Sequence, residues 1–544
     1  MVLTFVTGGV MRIRNTSANG LTLRAVAGTY VVFMGFDIDS TRRRNLLGFA
    51  LHRTDHTENE SGWLMGGLKF PGASTDTGSE ARTNVFPIQR FRWGDYTAKP
   101  NHDYTYRLHA MYGKPGELVS GDSVEVQVRT EDPTNVGRGH QIHFNRSAAA
   151  SQAYVRRFGD KDPDEIPDGA AFRWLSRGLE ESLVRFIEQA RDSSYSLHLC
   201  IYEFEKDNFL EALRAAVKRG VAVQILYDAK GKTTSKENPK AAKAHGLTKC
   251  CETRTTVSIS HHKFIILCKD GIPVAVWTGS TNFTEGAVYG QANVGHAIAN
   301  KDVAKQFFDL HQALWKRPEP KKAKSVQIAE QLSPVPPLSQ PQMYPIFSPR
   351  SSIAAIDLIA DLVDRANDLV CFTAPFALHD KLEDALDDPQ DRFLKFGLLN
   401  TTGNVVEKVH RTKGNRMAAA ARLKTKLDMF QAESLHHRGV YVHTKYFLID
   451  PISANPKVIT GSANFSNNSC RNNDENQLVI HSDPAVADVY LGEFMRMFDH
   501  YAFRDLQSRT KKKPKSISLS EDDSWADKYF AGGVEERDRV VFSK

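Results

Sequence analysis

The sequence predicts a multidomain chain, an all-β sandwich followed by an α/β part built as two pseudo-symmetric lobes. Three observations carry this. Residues up to about Asp132 alternate apolar and polar side chains with the period of strands. From about Ala149 the pattern changes to helices alternating with uniformly apolar strand runs. That second pattern then occurs twice, each time closing on the same short signature, which marks an internal duplication.

In the first segment, residues 1–132, YTYRL sets Tyr104, Tyr106 and Leu108 on one face, and VEVQVR does the same with Val124, Val126 and Val128. Turn-rich breaks such as KPGE and HTENESG separate the runs, so the segment reads as a small antiparallel sandwich. Its FRWGDYTAKPNHDYTYRL stretch resembles fibronectin type III-like modules. That resemblance implies a part that binds, spaces or docks, and so a surface for a protein partner. Residues 133–170 read as a connector.

The first lobe, 171–316, opens with WLSRGLEESLVRFI, whose Leu175, Leu179, Leu183, Phe186 and Ile187 form one helical stripe. The runs LHLCIYEF and VAVQILYD follow as apolar strands around the helix FLEALRAAVKRG, as in a parallel sheet covered on both faces. A Pro/Lys-rich passage, 317–345, reads as a linker. The second lobe, 346–503, restarts the order with IAAIDLIADLVDRA, LVCFTAPF, LHDKLEDAL and RFLKFGLLN. Residues 504–544, with KKKPK and SEDDSWADK, read as a mobile charged tail.

Composition narrows the class. The chain has 544 residues, 41% apolar and 25% charged, as in ordinary globular proteins. The formal charge of +7 is a mild bias toward anionic partners. MVLTFVTGGVMRIRN has no basic stretch ahead of its apolar run, and no run approaches the length of a membrane span. The six cysteines sit mostly in apolar strands, and Cys250 and Cys251 near His245, His261 and His262 fit no common zinc spacing. The expectation is a cytoplasmic protein with no metal and no cofactor.

Each lobe ends in the same two steps, SHHKFIIL then VWTGSTNF, and VHTKYFLID then VITGSANF. The two leading histidines, His261 and His443, are 182 residues apart, about one lobe. Residues two apart on a strand share a face, so His261 points with Lys263 and His443 with Lys445, while His262 points away. Gly279, Ser280 and Asn282 follow in the first copy, and Gly461, Ser462 and Asn464 in the second. Glycine there permits a tight turn and the approach of an anion to the backbone, and Ser and Asn supply neutral donors. One His-x-Lys or one Gly-Ser-x-Asn is ordinarily a strand or a turn and nothing more. Both, in order, twice, in matching lobes, point to a site.

The chemistry that uses this set is attack on a phosphodiester. One imidazole serves as nucleophile, the other donates a proton to the leaving oxygen and then activates water. Two lysines and two asparagines hold the non-bridging oxygens. Neither half suffices alone.

These residues resemble the phospholipase D superfamily and its HxK(x)4D(x)6GSxN motif, over roughly Ala171 to Tyr501. The second copy matches with His443, Lys445, Asp450, Gly461, Ser462 and Asn464, with a longer gap before Gly461. In the first, Cys268 stands at the aspartate position, with Asp270 the nearest acid. The family's glutamate beyond GSxN is offered by Glu475 in the second copy, and by Gln291 or Ala292 at the matching place in the first. The resemblance implies metal independence and a phosphohistidine. Which histidine attacks is not readable from the residues. In many two-copy members it is the N-terminal one, which assigns His261 as nucleophile and His443 as acid.

The substrate reading leans to nucleic acid. Lys230, Lys232, Lys236, Lys240, Lys243 and Lys249 precede the first histidine, and Arg411, Lys413, Arg416, Arg422, Lys424 and Lys426 precede the second. Such loops can track a phosphate backbone, with Lys230, Lys232, Arg411 and Lys413 as candidate contacts. The alternatives are a lipid hydrolase or phosphatidyltransferase acting on anionic phospholipid and, from another class, a binding protein with a degenerate site.

Overall fold

The computed structural model describes residues 11–73, 81–135, 137, 139–147, 151–159, 161–335, 343–387, 392–400, 415–420, 441–509 and 518–544. Eight strands come first: β1 (Arg12–Thr16), β2 (Thr22–Ala27), β3 (Val32–Asp37), β4 (Leu46–Asp55), β5 (Glu60–Trp63), β6 (Arg92–Asp95), β7 (Asp103–Lys114) and β8 (Glu117–Arg129). They form two antiparallel four-stranded sheets, ordered β1-β2-β3-β6 and β5-β4-β7-β8. Leu23, Met34 and Phe36 of one sheet share a core with Phe49, Leu51, Tyr106 and Val126 of the other. Each such buried side chain contributes about 1.5–3 kcal/mol relative to exposure.

The lobes follow with matching topology. The first holds β9 (His140–Phe144), β10 (Tyr195–Ile201), β11 (Ala222–Asp228), β12 (Cys251–Arg254), β13 (Lys263–Lys269), β14 (Ile272–Gly279) and β15 (Val294–Ile298), in the order β12-β11-β10-β13-β14-β15-β9. The second holds β16 (Met343–Ser348), β17 (Leu369–Ala374), β18 (Leu394–Leu399), β19 (Asn415–Ala419), β20 (Tyr446–Ile449), β21 (Lys457–Gly461) and β22 (Glu475–His481), in the order β19-β18-β17-β20-β21-β22-β16. Both sheets are mixed rather than wholly parallel. β10, β11 and β12 run parallel, and the remaining pairings are antiparallel. β17, β18 and β19 with the rest of the second sheet repeat this. The uniformly apolar runs reflect burial on both faces, which either strand direction permits.

Two isolated parallel bridges, Ser260 with Asp474 and Ala292 with Val442, stitch the lobes together. Beside them Arg254 Nε donates to Asp474 at 2.7 Å, with both side chains fully buried. Breaking such a buried pair costs about 3–5 kcal/mol.

Three segments depart from the sequence expectation. The connector contributes β9 to the edge of the first sheet, paired with β15. The linker supplies a helix, Lys322–Leu332, and the start of β16. The expected mobile tail, where described, is packed. Trp525 and Tyr529 enter the sandwich core, Trp525 Nε1 donates to Leu46 O at 2.9 Å, and Phe542 on the helix Val534–Ser543 meets Phe33 edge-on at 5.0 Å. The charges hid a set of spaced aromatics. The KKKPK run lies outside the described residues.

The sandwich is docked on the helix Pro484–Arg509 of the second lobe. Arg12 Nε reaches both Asp488 oxygens at 2.8 Å, and Arg92 and the Tyr96 hydroxyl both meet Asp499, at 3.2 and 2.5 Å. No helix among the described residues is long and apolar enough to cross a membrane.

Candidate active site

The duplicated signatures meet where the lobes touch. The His261 N–H donates to Asp474 O at 2.9 Å and the His443 N–H to Ala292 O at 3.0 Å, so each histidine is fixed by the backbone of the opposite lobe. At the start of β13 and just ahead of β20 the lysine folds back, Lys263 Nζ to His261 O at 2.8 Å and Lys445 Nζ to His443 O at 2.7 Å. His262 turns the other way, its Nδ1 3.3 Å from Asn476 Oδ1.

The side-chain acceptors also cross over. His261 Nδ1 lies 2.8 Å from Glu475 Oε2, and His443 Nδ1 lies 3.0 Å from Asn293 Oδ1. The Asn293 amide is oriented by its Nδ2, which donates to Ala287 O at 2.9 Å. An acceptor at Nδ1 places the ring proton there and leaves Nε2 for chemistry. The serines hold these acceptors in place, Ser280 Oγ donating to Asn293 and Ser462 Oγ to Glu475, both at 2.8 Å. They therefore brace the second layer rather than supply donors to an anion.

The first-lobe counterpart of Glu475 is Asn293, not Gln291 or Ala292. Asn293 and Glu475 each lie thirteen residues beyond their serine, and this equal spacing was the signal available in the sequence. Ala292 instead bridges to Val442 as Asp474 bridges to Ser260, so it is the counterpart of Asp474. The glycines also serve another end than expected. Gly279 and Gly461 have φ of +147° and +153°, and a Cβ on either would lie 2.2 Å from the neighbouring strand's carbonyl oxygen, that of Val294 or Asn476. Close strand approach, not anion access, requires them.

The site is electrostatically costly. His261 and His443 are 9% and 7% exposed, and both lysines are buried. Burial pushes the His261 imidazole down to about 4, against the pull of Glu475. His443 falls well below its ordinary value through burial, then through Lys445, Lys263 and His261. Burial takes Lys263 down to about 8 and Lys445 well below its usual range. Four basic groups surround the carboxylate of Glu475, with Glu203 and Asp228 also raising Lys263, and a nearby anion would raise the proton affinity of all four.

Neighbours the sequence reading missed complete the walls. Asn282 Nδ2 donates to Glu203 at 2.7 Å, while the Oδ1 atoms of Asn282 and Asn464 are buried without a hydrogen-bond partner. Tyr202 packs edge-on against His261 at 4.9 Å, and Lys263 Nζ sits 5.2 Å from its ring centre. Strand register gives the second-lobe equivalents. Ile201 pairs with Lys263 and Thr373 with Tyr446, so Ala374 matches Ile201 and Phe376 matches Glu203. The bond from Lys206 N to Phe283 O is mirrored by His379 N to Phe465 O. Phe376 is 49% exposed.

Asp450 stands outside the chemistry. Its carboxylate accepts from the N–H groups of Asn367, Asp368 and Leu369, closing the turn ahead of β17. Cys268, at the matching position of the first copy, is buried in β13. Of the candidate substrate contacts, Lys232 is exposed, and Lys230 donates to Val257 O at 2.6 Å. Asp228 ties their loop to the site by accepting from Ser260 N at 2.9 Å. Arg411 and Lys413 lie outside the described residues, as do Arg422, Lys424 and Lys426. Arg416 is engaged elsewhere, 3.2 Å from Asp538. No cluster of three or more His, Cys, Asp or Glu side chains suited to a metal ion occurs among the described residues.

The family model "Cardiolipin synthase, PLD-like domain" matches residues 183–315 and 359–498, together half of the chain. A mitochondrial cardiolipin hydrolase of Danio rerio is 28% identical over 145 residues, which are 26% of this chain and 61% of that relative. Among solved structures, phosphatidylserine synthase of Haemophilus influenzae is 10% identical with a TM-score of 0.44, covering 68% of this chain and 94% of the other. The phospholipase D family member Nuc of Salmonella typhimurium is 19% identical with a TM-score of 0.22, covering 30% and 96%. With two copies of the motif meeting at one seam and the family model matching in both lobes, the chain belongs to the phospholipase D superfamily.

Proposed function

We propose that the chain is a phosphodiesterase that works through a phosphohistidine on His261 and acts on nucleic acid. The observation that carries the chemistry is the crossed pair of acceptors, a carboxylate on His261 and an amide on His443. Glu475 holds the Nδ1 proton of His261 and stabilises the positive charge that grows on the ring as Nε2 attacks phosphorus. The bond from phosphorus to the leaving oxygen breaks, and that oxygen takes the proton of His443. Water then attacks the phosphohistidine, His443 receives its proton, and the N–P bond breaks. An anionic substrate beside His443 raises its proton affinity, so the acid is loaded when substrate binds. Lys263, Lys445, Asn282 and Asn464 face the non-bridging oxygens. The lysines supply the positive charge, and turnover is expected to need no metal.

Lys232, Lys236, Lys240 and Lys243 support the nucleic-acid reading. They are exposed on the loop and helix Thr234–Ala244, which Asp228 anchors beside Ser260. The family match and the cardiolipin hydrolase relative favour a second reading, an enzyme of anionic phospholipids. Purified protein in excess EDTA, given DNA, RNA and cardiolipin vesicles in parallel, separates the two. Nucleic-acid cleavage that vanishes in His443→Ala supports the first. Lipid cleavage with nucleic acid untouched overturns it.

A further inference from the structure

A cavity lies away from the histidines, where the sandwich, the connector, the start of the first lobe, the helix Pro484–Arg509 and the C-terminal segment 518–528 meet, with a volume of about 870 Å³. That is ample for a metabolite-sized ligand. Its lining holds seven Lys or Arg side chains and one acid, Asp499, which is already engaged by Arg92 and Tyr96. At its inner wall three guanidiniums, Arg146, Arg177 and Arg496, share one carboxylate, Glu493, which pairs with Arg177 and accepts from Arg496 Nε at 2.9 Å. Burial and the like charges of Arg177 and Arg496 push the Arg146 guanidinium down to about 9. The wall therefore carries uncompensated positive charge in a desolvated place. Aromatic rings stand among these cations. The Arg146 guanidinium lies 4.5 Å from the Trp174 ring centre and that of Arg177 lies 4.6 Å from Tyr30, and Trp93 also faces the cavity.

This wall is wired to the catalytic seam. Arg496 donates to the backbone oxygens of Arg146 and Asn145, at 3.3 and 3.0 Å. The Asn145 side chain in turn donates to Val288 O and Gln291 O, both at 2.7 Å, and accepts from Asn293 N at 2.9 Å. Asn293 is the residue whose amide orients His443. Four residues thus span the path from the cavity to the proton donor.

We infer that the cavity is a regulatory site for a nucleotide, whose phosphates would meet the arginine cluster and whose base would stack among the rings, and that its occupancy acts on His443 through Asn145 and Asn293. Guanidinium groups bind phosphate in a bidentate fashion, and Trp and Tyr faces accept a planar base. A bare phosphate would leave the rings unused, and a lipid headgroup would leave no base to stack.

Calorimetry on the full chain tests this with ATP, pyrophosphate and adenosine as probes. ATP is expected to bind, and pyrophosphate and adenosine each to bind at least about tenfold more weakly, since each fills one half of the site. Arg146→Glu should abolish binding, and His261→Ala should leave it intact. Where Arg146→Glu does not fold, the paired substitution of the exposed Arg90 and Arg156 by Ala should weaken ATP at least about fivefold. No binding of ATP, or binding lost in His261→Ala and kept in the arginine variants, overturns the site. Pyrophosphate binding as tightly as ATP overturns the base seat. ATP should also change turnover of bis(p-nitrophenyl) phosphate by about fivefold or more in wild type and not in Arg146→Glu. Binding without that change overturns the coupling. This last arm alone rests on the phosphodiesterase reading, and the calorimetry stands apart from it.

Discussion

The two half-sites share a backbone and differ in the acceptor that each histidine faces. Each histidine donates its backbone N–H to a carbonyl of the opposite lobe, each lysine folds onto its histidine's carbonyl, and each serine braces an acceptor thirteen residues on. Yet His261 faces a carboxylate and His443 an amide. A carboxylate stabilises a ring that becomes and stays cationic, as a phosphohistidine does. An amide orients the ring without holding its proton, which suits a group that must release it. Duplication supplied the frame, and one side chain divided the labour.

The largest effect tests that division directly. His261→Ala should abolish turnover. His443→Ala should lower it by about 10²- to 10⁴-fold on a substrate with a poor leaving group, the range of general acid–base catalysis. On bis(p-nitrophenyl) phosphate, whose leaving group needs no acid, one p-nitrophenolate leaves and His443→Ala should accumulate a chain carrying the p-nitrophenylphosphoryl group, detected by intact mass and mapped to His261. That group mapped to His443 in the His261 variant would reverse the roles.

Exchanging the acceptors comes next. Glu475→Gln should lower kcat by roughly 10²-fold, because the growing positive charge loses its partner. Glu475 raises His261 toward its value of about 4, so its removal lowers that value further. The acid limb of the pH–rate profile, where His261 gains a proton and stops attacking, should therefore move to lower pH. Asn293→Asp should cost less, within about tenfold, and a carboxylate there raises His443. Since the acid must be protonated, its alkaline limb should move to higher pH. Limbs that stay fixed in both variants would mean that neither acceptor tunes its histidine.

The same comparison explains what the sequence could reveal. The His, Lys, Gly, Ser and Asn positions were legible because they recur in order and because strand period fixes which side chains point together. Asn293 was passed over because it does not look like the glutamate it replaces, although the spacing from Ser280 locates it. Glu203 and Phe376 carry no motif, and only strand register makes them equivalents. β9 was hidden in the connector, and the packed C-terminal helix in a charged stretch, because both are completed by partners more than a hundred residues away in sequence. The arginine cavity belongs to five segments at once and has no linear signature.

The smallest effect concerns the position where the copies differ without touching the chemistry. Asp450 accepts three backbone N–H groups, and its own residue adopts a φ of +47° to do so. Asp450→Ala should destabilise the fold by about 1–3 kcal/mol, the cost of leaving buried donors unpaired. Chemical denaturation would read it. Cys268→Ala, at the matching position of the first lobe, removes a sulfur from an apolar strand and no such acceptor, so it should cost about 1 kcal/mol or less. Both variants should keep wild-type kcat per folded molecule. A fall in kcat for Asp450→Ala at full folding would place that carboxylate in the reaction, and the two lobes would then differ in chemistry at a second position. Unchanged kcat leaves the acceptors of His261 and His443 as the difference that divides the work.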